Sequence, residues 1–323
     1  MLAAGSLITV FGGSGFVGRH TVRLLARRGF RVRVAVRRPD LAGHLQPMGS
    51  PGQIMPVQAN LRDAESVRRA VSGAAAVVNL VAVLAETGRQ TFAALHINGA
   101  RAVAKAVHEA GIGTLVHVSA IGASSSSPAR YAQTKAGGES AVLGEFPSAV
   151  ILRPSIIFGP EDQFFNRFAG LAQSSPFMPS IGGGTRFQPV YVGDVAAAIV
   201  AALDGLTKPG TVYELGGPEV FTFRQLLRKT MDYAGHSRPL IPVPLWAAKI
   251  GAALTKPLPM FLRPLTVDQV RSLAIDTIVS KKAIEEHRTL AGLGINPAQA
   301  IEAIVPAYLE RFKANGQYAH YRG

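Results

Sequence analysis

The sequence has no cysteine in 323 residues, which excludes a disulfide framework, a thiolate metal site, an iron–sulfur centre and a cysteine nucleophile. Long apolar runs are missing as well. Mean hydropathy is +0.21, yet the longest apolar stretch, 74–85, is interrupted by Asn79 and falls well short of the roughly 20 residues that span a bilayer. The start of the chain lacks a basic region followed by an apolar core and a small-residue cleavage site, so a cytosolic or cytosol-facing protein without a signal peptide is expected. Acidic residues are few: 20 against 34 basic ones, a formal charge of +14. That excess implies an acidic partner, whether nucleic acid, anionic lipid, an acidic protein surface or a phosphorylated ligand. The basic residues lack the interleaved aromatics of a single-strand nucleic-acid platform, and the 8 histidines lack metal-ligand spacing, so neither nucleic acid nor a metal is expected. His117, inside a strand-like run, reads as packed core, and the adjacent Glu161-Asp162 as surface charge.

With 48% hydrophobic and 17% charged residues the chain is globular, and its length suggests two domains or one large α/β domain with an appendage. Short β-branched runs at 7–11, 31–36, 54–57, 76–81, 114–119 and 149–152 alternate with helical spacing at 16–28, 64–71, 91–110 and 131–143. The order predicts right-handed βαβ units and an α/β, Rossmann-type doubly wound parallel sheet over 1–153. Beyond Arg153-Pro154 the pattern loosens. Helical stretches at 163–173, 195–203, 223–233 and 298–312, with strand-like pieces at 187–192 and 212–215, predict a smaller C-terminal α/β lobe over 154–323 that completes a ligand cleft. The serines at 124–127 read as a mobile loop. Segment 239–264 carries six prolines, Trp246, Lys249, Lys256 and Arg263, and its 245–254 stretch reads as a short helix with an apolar face and a basic edge, suited to a membrane surface, a partner or the lobe itself.

Directly after the first strand, Gly12-Gly13-Ser14-Gly15-Phe16-Val17-Gly18 opens a helix. Gly12 serves a tight turn, Gly15 the close approach of backbone to a pyrophosphate, and Gly18 the packing of helix on strand, while the helix start at Phe16 and Val17 offers unpaired N–H groups to phosphates. Strand before and helix after is the context that makes such a turn a dinucleotide site. Where an NAD site has a carboxylate at the end of the second strand, this chain has Arg37 and Arg38, which suit a 2′-phosphate, so NADPH is favoured over NADH. Tyr131 and Lys135 stand at i and i+4 near the start of the helix after the fifth strand, where an ammonium beside a phenol lowers its pKa and prepares it for proton transfer to a carbonyl.

Together with Asn60-Leu61-Arg62-Asp63, Asn79-Leu80-Val81, Ser119, Arg153-Pro154 and Val192-Gly193-Asp194-Val195, these motifs resemble an extended or atypical short-chain dehydrogenase/reductase over residues 1–235. Within that superfamily the chain is most similar to the NADPH-binding accessory subunit of respiratory complex I (NADH:ubiquinone oxidoreductase), through VHVSAIG at 116–122, FGPEDQFF at 158–165, QPVYVGDV at 188–195 and a basic, Pro-rich C-terminal part; without a transit peptide it would be a bacterial form. The resemblance implies Gly12, Gly15 and Gly18 on the pyrophosphate, Arg37 on the 2′-phosphate, Asp63 at the adenine edge, Tyr131 with Lys135 at the nicotinamide ribose, and Asn79 and Pro154 among the cofactor-lining positions. It also implies a catalytic set of Ser119, Tyr131 and Lys135. Two positions depart from that pattern: Ala120 stands where active relatives have a second serine or threonine, and Asn60 where they often have aspartate.

The expected function is therefore an NADP(H)-binding accessory subunit of complex I with little or no turnover, peripheral on the cytoplasmic face of the inner membrane, contacting complex I subunits and anionic lipid headgroups through a basic surface. The alternatives are a soluble NADP-dependent oxidoreductase, epimerase or dehydratase using Tyr131 and Lys135, and a sensor of NADPH/NADP⁺ occupancy.

Overall fold

The β-branched run Leu7–Phe11 forms strand β1 at the centre of a parallel sheet, flanked by β2 (Arg31–Val36) on one side and β4 (Ala76–Asn79) on the other. A computed structural model describes residues 2–255, 265–314 and 316. With β3 (Ile54–Gln58), β5 (Leu115–Val118), β6 (Val150–Pro154) and a later strand, the sheet has seven strands in the order β11-β6-β5-β4-β1-β2-β3, β11 being Val212–Leu215. Every pairing is parallel. Strand β4 is buried throughout because both faces are covered, which explains its lack of polar alternation. Strand order reverses beside β1: β2 and β3 extend one way, then the chain crosses to β4. Ligands of doubly wound sheets sit outside the strand ends at such a reversal.

The helices follow from the same pattern. Helix α1 (Phe16–Arg27) buries Val22, Leu25 and Ala26, and the chain reverses at Gly29, whose φ of +81° suits glycine. Helices α2 (Ala64–Val71), α3 (Ala100–Glu109) and α4 (Arg130–Glu145) share one core with Phe11, Val77, Leu115 and Ile151. Val10, one residue from Phe11, meets Val22 and Val34 around Gly13, so alternate residues of β1 serve opposite faces. Each such buried Val or Leu contributes about 1.5–3 kcal/mol.

After β6 the chain forms β7 (Ile157–Phe158), α5 (Phe165–Ser174), β8 (Met178–Ile181), β9 (Arg186–Phe187), β10 (Val190–Tyr191) and α6 (Val192–Leu203). Beyond β11 come β12 (Phe221–Thr222), α7 (Phe223–Tyr233), β13 (Leu240–Val243), α8 (Leu245–Leu254), α9 (Val267–Ser272), α10 (Lys281–Glu285) and α11 (Ile301–Leu309). The chain divides into two compact units. One comprises Met1–Pro154, Gly193–Leu215 and Ser280–Asn296; the other comprises Ser155–Val192, Gly216–Val279 and Pro297–Gly323. The first unit thus ends its longest segment one residue beyond the division read from the sequence, and the chain returns to it twice, once to add β11 beside β6. The second unit pairs β7 with β10, β9 with β12 and β8 with β13 around an aromatic core that includes Phe158, Phe165, Phe187, Phe223 and Val305.

Three local readings change. The helix expected at 91–110 starts as a π-helix, Ala93–Gly99, before continuing as α3. The strand expected at 187–192 is two strands, β9 and β10, broken at Gln188-Pro189, where proline has no N–H for a ladder. Asp162 is not surface charge: it is buried, accepts hydrogen bonds from Tyr308 and the Gly159 N–H, and is pushed above the ordinary carboxylate range by burial. The expected helix at 245–254 is α8, whereas residues 256–264 of the docking segment, including Lys256 and Arg263, lie outside the described residues. Among the described residues no helix is long and apolar enough to cross a membrane.

Candidate functional site

The chain leaves β1 into a turn at the reversal of strand order. Gly12 has φ +77° and donates its N–H to Ala35 O at 3.1 Å. A Cβ on Gly18 would stand 2.3 Å from Gly12 O and 2.6 Å from the Gly13 carbonyl carbon, so only glycine lets α1 press this closely against the turn. Gly15 differs. A Cβ there would meet only Gly12 O, at 3.3 Å, and the residue is exposed. The protein's own packing therefore constrains position 15 far less than position 18, and a ligand brought against the backbone would add a second reason for glycine. Gly15 caps α1 without any side-chain hydrogen bond, and the first turn, which starts at Phe16 and Val17, has no acidic residue. Its N–H groups and the positive dipole end suit a phosphate.

At the end of β2, Arg37 and Arg38 are both exposed but not equivalent. Arg38 grips Asp40, Nη2 to Oδ2 at 2.8 Å and Nε to Oδ1 at 3.1 Å. Arg37 makes no hydrogen bond or ion pair among the described residues, so it is the guanidinium on hand for an anion. Asp63 caps α2 by accepting the Glu65 N–H at 3.1 Å. Asn79 is 1% exposed: its Nδ2 donates to His117 Nδ1 at 3.2 Å and its Oδ1 accepts the Val81 N–H at 3.2 Å. That residue is engaged in shaping the end of β4. Its partner His117 is buried core, as read, with its pKa pushed well down by burial.

Tyr131 and Lys135 share one face of α4, but the chemistry differs from the expectation. Lys135 is buried and donates Nζ–H to Val118 O at 2.8 Å. Burial pushes its ammonium down to about 8, with the Glu139 carboxylate opposing. Tyr131 is pushed up to about 12 by burial, the reverse of an activated phenol. Desolvation here outweighs any help from the lysine, because the ammonium is oriented on a carbonyl. Ser119 Oγ is buried with no hydrogen-bond partner among the described residues. Pro154 ends β6 and accepts the Ile121 N–H at 3.0 Å. The serine run is not loose: Ser127 Oγ accepts the Ala129 N–H at 3.2 Å and Gln133 Nε2 donates to Ser127 O at 2.7 Å.

One residue of this region was not legible in the sequence. His96, in the π-helix, is 2% exposed, accepts the Val83 N–H on Nε2 at 3.2 Å and meets Thr134 Oγ1 through Nδ1 at 3.0 Å. Burial, assisted by the Lys135 charge, pushes its pKa down to about 3. The nearest signal was a lone histidine in an apolar helical stretch.

The site residues fit a dinucleotide: the backbone at Gly15 is exposed at the start of α1, and Ser119 Oγ and Arg37 are polar groups without a protein partner among the described residues. The model of an NAD(P)H-binding family matches residues 12–145, and that of the 3-beta hydroxysteroid dehydrogenase/isomerase family matches 124–226. Escherichia coli NADPH-dependent quinone oxidoreductase QOR2, solved with NADPH, superposes with a TM-score of 0.72 at 21% identity, over 94% of this chain and 99% of that one, and shares the fold. Ceramide reductase of Caulobacter vibrioides is 31% identical over 245 residues, 75% of this chain and 74% of that protein. The mitochondrial NADH dehydrogenase (ubiquinone) 1 alpha subcomplex subunit 9 of Arabidopsis thaliana is 39% identical over 293 residues, 87% of this chain and 73% of that one. Fold, glycine turn and this extended similarity agree: the chain belongs to the family of that NADH dehydrogenase subunit, within the extended, atypical short-chain dehydrogenase/reductases.

Proposed function

We propose that this chain is an accessory subunit of respiratory complex I that retains NADP(H) as a mainly structural or regulatory cofactor. The similarity over 293 residues to the plant NADH dehydrogenase subunit carries the reading. The turn from Gly12 to Gly18 holds the pyrophosphate, Arg37 takes the 2′-phosphate, and Tyr131 with Lys135 borders the nicotinamide ribose. A bound nicotinamide supplies hydride chemistry. The residues beside it favour holding over turnover: Lys135 is engaged with Val118 O, the Tyr131 phenol is pushed up rather than down, and Ala120 offers no second hydroxyl to a carbonyl.

The chain docks peripherally on the cytoplasmic face of the inner membrane. Support comes from α8, where Trp246, Ile250 and Leu254, spaced four apart, are 68%, 54% and 73% exposed beside Lys249. No acidic residue occurs between Asp232 and Asp268, so this part of the chain suits anionic headgroups as well as an acidic subunit surface. Blue-native electrophoresis of the respiratory membranes tests the reading: the chain is expected to migrate with complex I, and migration as a separate species overturns it.

The second reading is a soluble NADP-dependent reductase, favoured by the similarity to ceramide reductase and by the retained Tyr131 and Lys135 spacing. Tyr131→Phe separates the two. Unchanged nucleotide retention and assembly supports the subunit, whereas loss of a measurable carbonyl reduction supports the enzyme.

A further inference from the structure

Two hydrogen bonds define the state of His96. Its Nε2 accepts the Val83 N–H, so that nitrogen carries no proton. Thr134 Oγ1 donates its only proton to Tyr131 O at 3.0 Å, so toward His96 it accepts, and Nδ1 must carry the hydrogen. The ring is neutral and of one tautomer. Around it, Phe92 stacks with centroids 5.3 Å apart, Tyr131 meets it edge-on at 5.4 Å, and Phe92 meets Tyr131 edge-on at 6.0 Å. The backbone is equally close: a Cβ on Gly138 would stand 2.1 Å from His96 O, so α4 rests directly on the π-helix. A π-turn is rare and concentrates at functional sites.

The two segments that His96 joins both border the nucleotide site. Val81, two residues before Val83, lies 3.2 Å from where a Cβ of Gly12 would be, so the segment after β4 rests against the glycine turn. Thr134 lies on α4 between Tyr131 and Lys135. From this geometry we infer that His96 is a positioning residue for the dinucleotide, a neutral clamp that holds the segment beside the phosphate turn and the helix carrying Tyr131 in one arrangement. The inference rests on the nucleotide-binding reading above and concerns how the site is held, not what it transfers.

The test uses the purified full-length protein and NADPH, followed by the nucleotide's own fluorescence, with the thermal midpoint measured on the same samples. His96→Phe keeps a ring against Phe92 and Tyr131 but removes both hydrogen bonds. It is expected to unfold as cooperatively as the wild type yet bind NADPH about tenfold more weakly, the scale of one or two lost buried hydrogen bonds. His96→Gln, which restores one donor and one acceptor, is expected to recover most of that loss. Where His96→Phe does not fold, Thr134→Val removes the bond to His96 Nδ1, along with the hydroxyl's local bond to Tyr131 O, and is expected to weaken binding about threefold. Equal NADPH binding by the wild type and a folded His96→Phe or Thr134→Val overturns the role. In parallel, ¹⁵N shifts of the imidazole at neutral pH are expected to show a protonated Nδ1 and a bare Nε2, and an Nε2–H tautomer or an imidazolium overturns it. A wild type that binds no NADPH defeats the nucleotide-binding reading itself, a result distinct from a wild type that binds and a variant that binds as well.

Discussion

Alanine at Gly15 and at Gly18 separates what the turn needs for folding from what it needs for a ligand. At Gly18 the new methyl would fall 2.3 Å from Gly12 O and 2.6 Å from the Gly13 Cα. An ordinary contact of this kind is 3.4 Å or more, so α1 must retreat by about 1 Å, an overpacking cost of about 2–3 kcal/mol. At Gly15 the one close atom is Gly12 O at 3.3 Å, which must give by a few tenths of an ångström, and φ is −74°, so the fold should lose no more than about 1 kcal/mol. On the proposed binding mode, the methyl would stand where the pyrophosphate approaches the backbone and would separate it from the α1 N–H groups. Losing one charge-assisted hydrogen bond costs about 2 kcal/mol, roughly a thirtyfold rise in the NADPH Kd. Urea unfolding and NADPH titration read both quantities. The expected pattern is a large fall in stability only for Gly18→Ala and a loss of binding for both. Gly15→Ala with wild-type affinity would refute the assignment of this turn to a phosphate.

Arg37→Ala should weaken NADPH binding about tenfold and leave NADH unchanged, whereas Arg38→Ala, already paired with Asp40, should have the smaller effect in the same titrations. His96 is held neutral, with a folded pKa of about 3 against an ordinary 6.5; its contribution to stability is fully present above about pH 6.5 and is lost as pH falls toward 3. The unfolding free energy from urea titration should therefore drop from pH 7 to pH 5, with His96→Phe showing a slope shallower by up to about 1.4 kcal/mol per pH unit; equal slopes contradict this. His117, buried neutral as well, acts in the same direction. Tyr308→Phe removes the hydroxyl that donates to buried Asp162, and thermal unfolding should register a loss of about 1–3 kcal/mol in the second unit.

The sheet was legible because its strands are uniformly apolar and its helices amphipathic: β1, β2, α2 and α7 fall where periodicity puts them. Residue pairs distant in sequence were not. Val212–Leu215 read as a strand, but only its pairing with Ile151–Pro154 assigns it to the central sheet. Asp162 read as surface charge because the residue that buries its carboxylate, Tyr308, comes 146 positions later. The glycine turn was legible as a strand-to-helix motif, but only distances show that a Cβ at Gly18 meets backbone far more closely than one at Gly15. Arg37 and Arg38 are indistinguishable as letters, and the geometry of Asp40 separates them. The Tyr131 and Lys135 spacing was legible, but the sequence does not show that Lys135 points its ammonium at Val118 O, nor that burial dominates the phenol.

Complex I purified from its own membranes and denatured should release NADP(H) stoichiometric with this chain, and Gly15→Ala complex should assemble with most of that nucleotide missing. Complex I that lacks the chain, or that holds it with NAD(H) or no nucleotide in its place, contradicts the account.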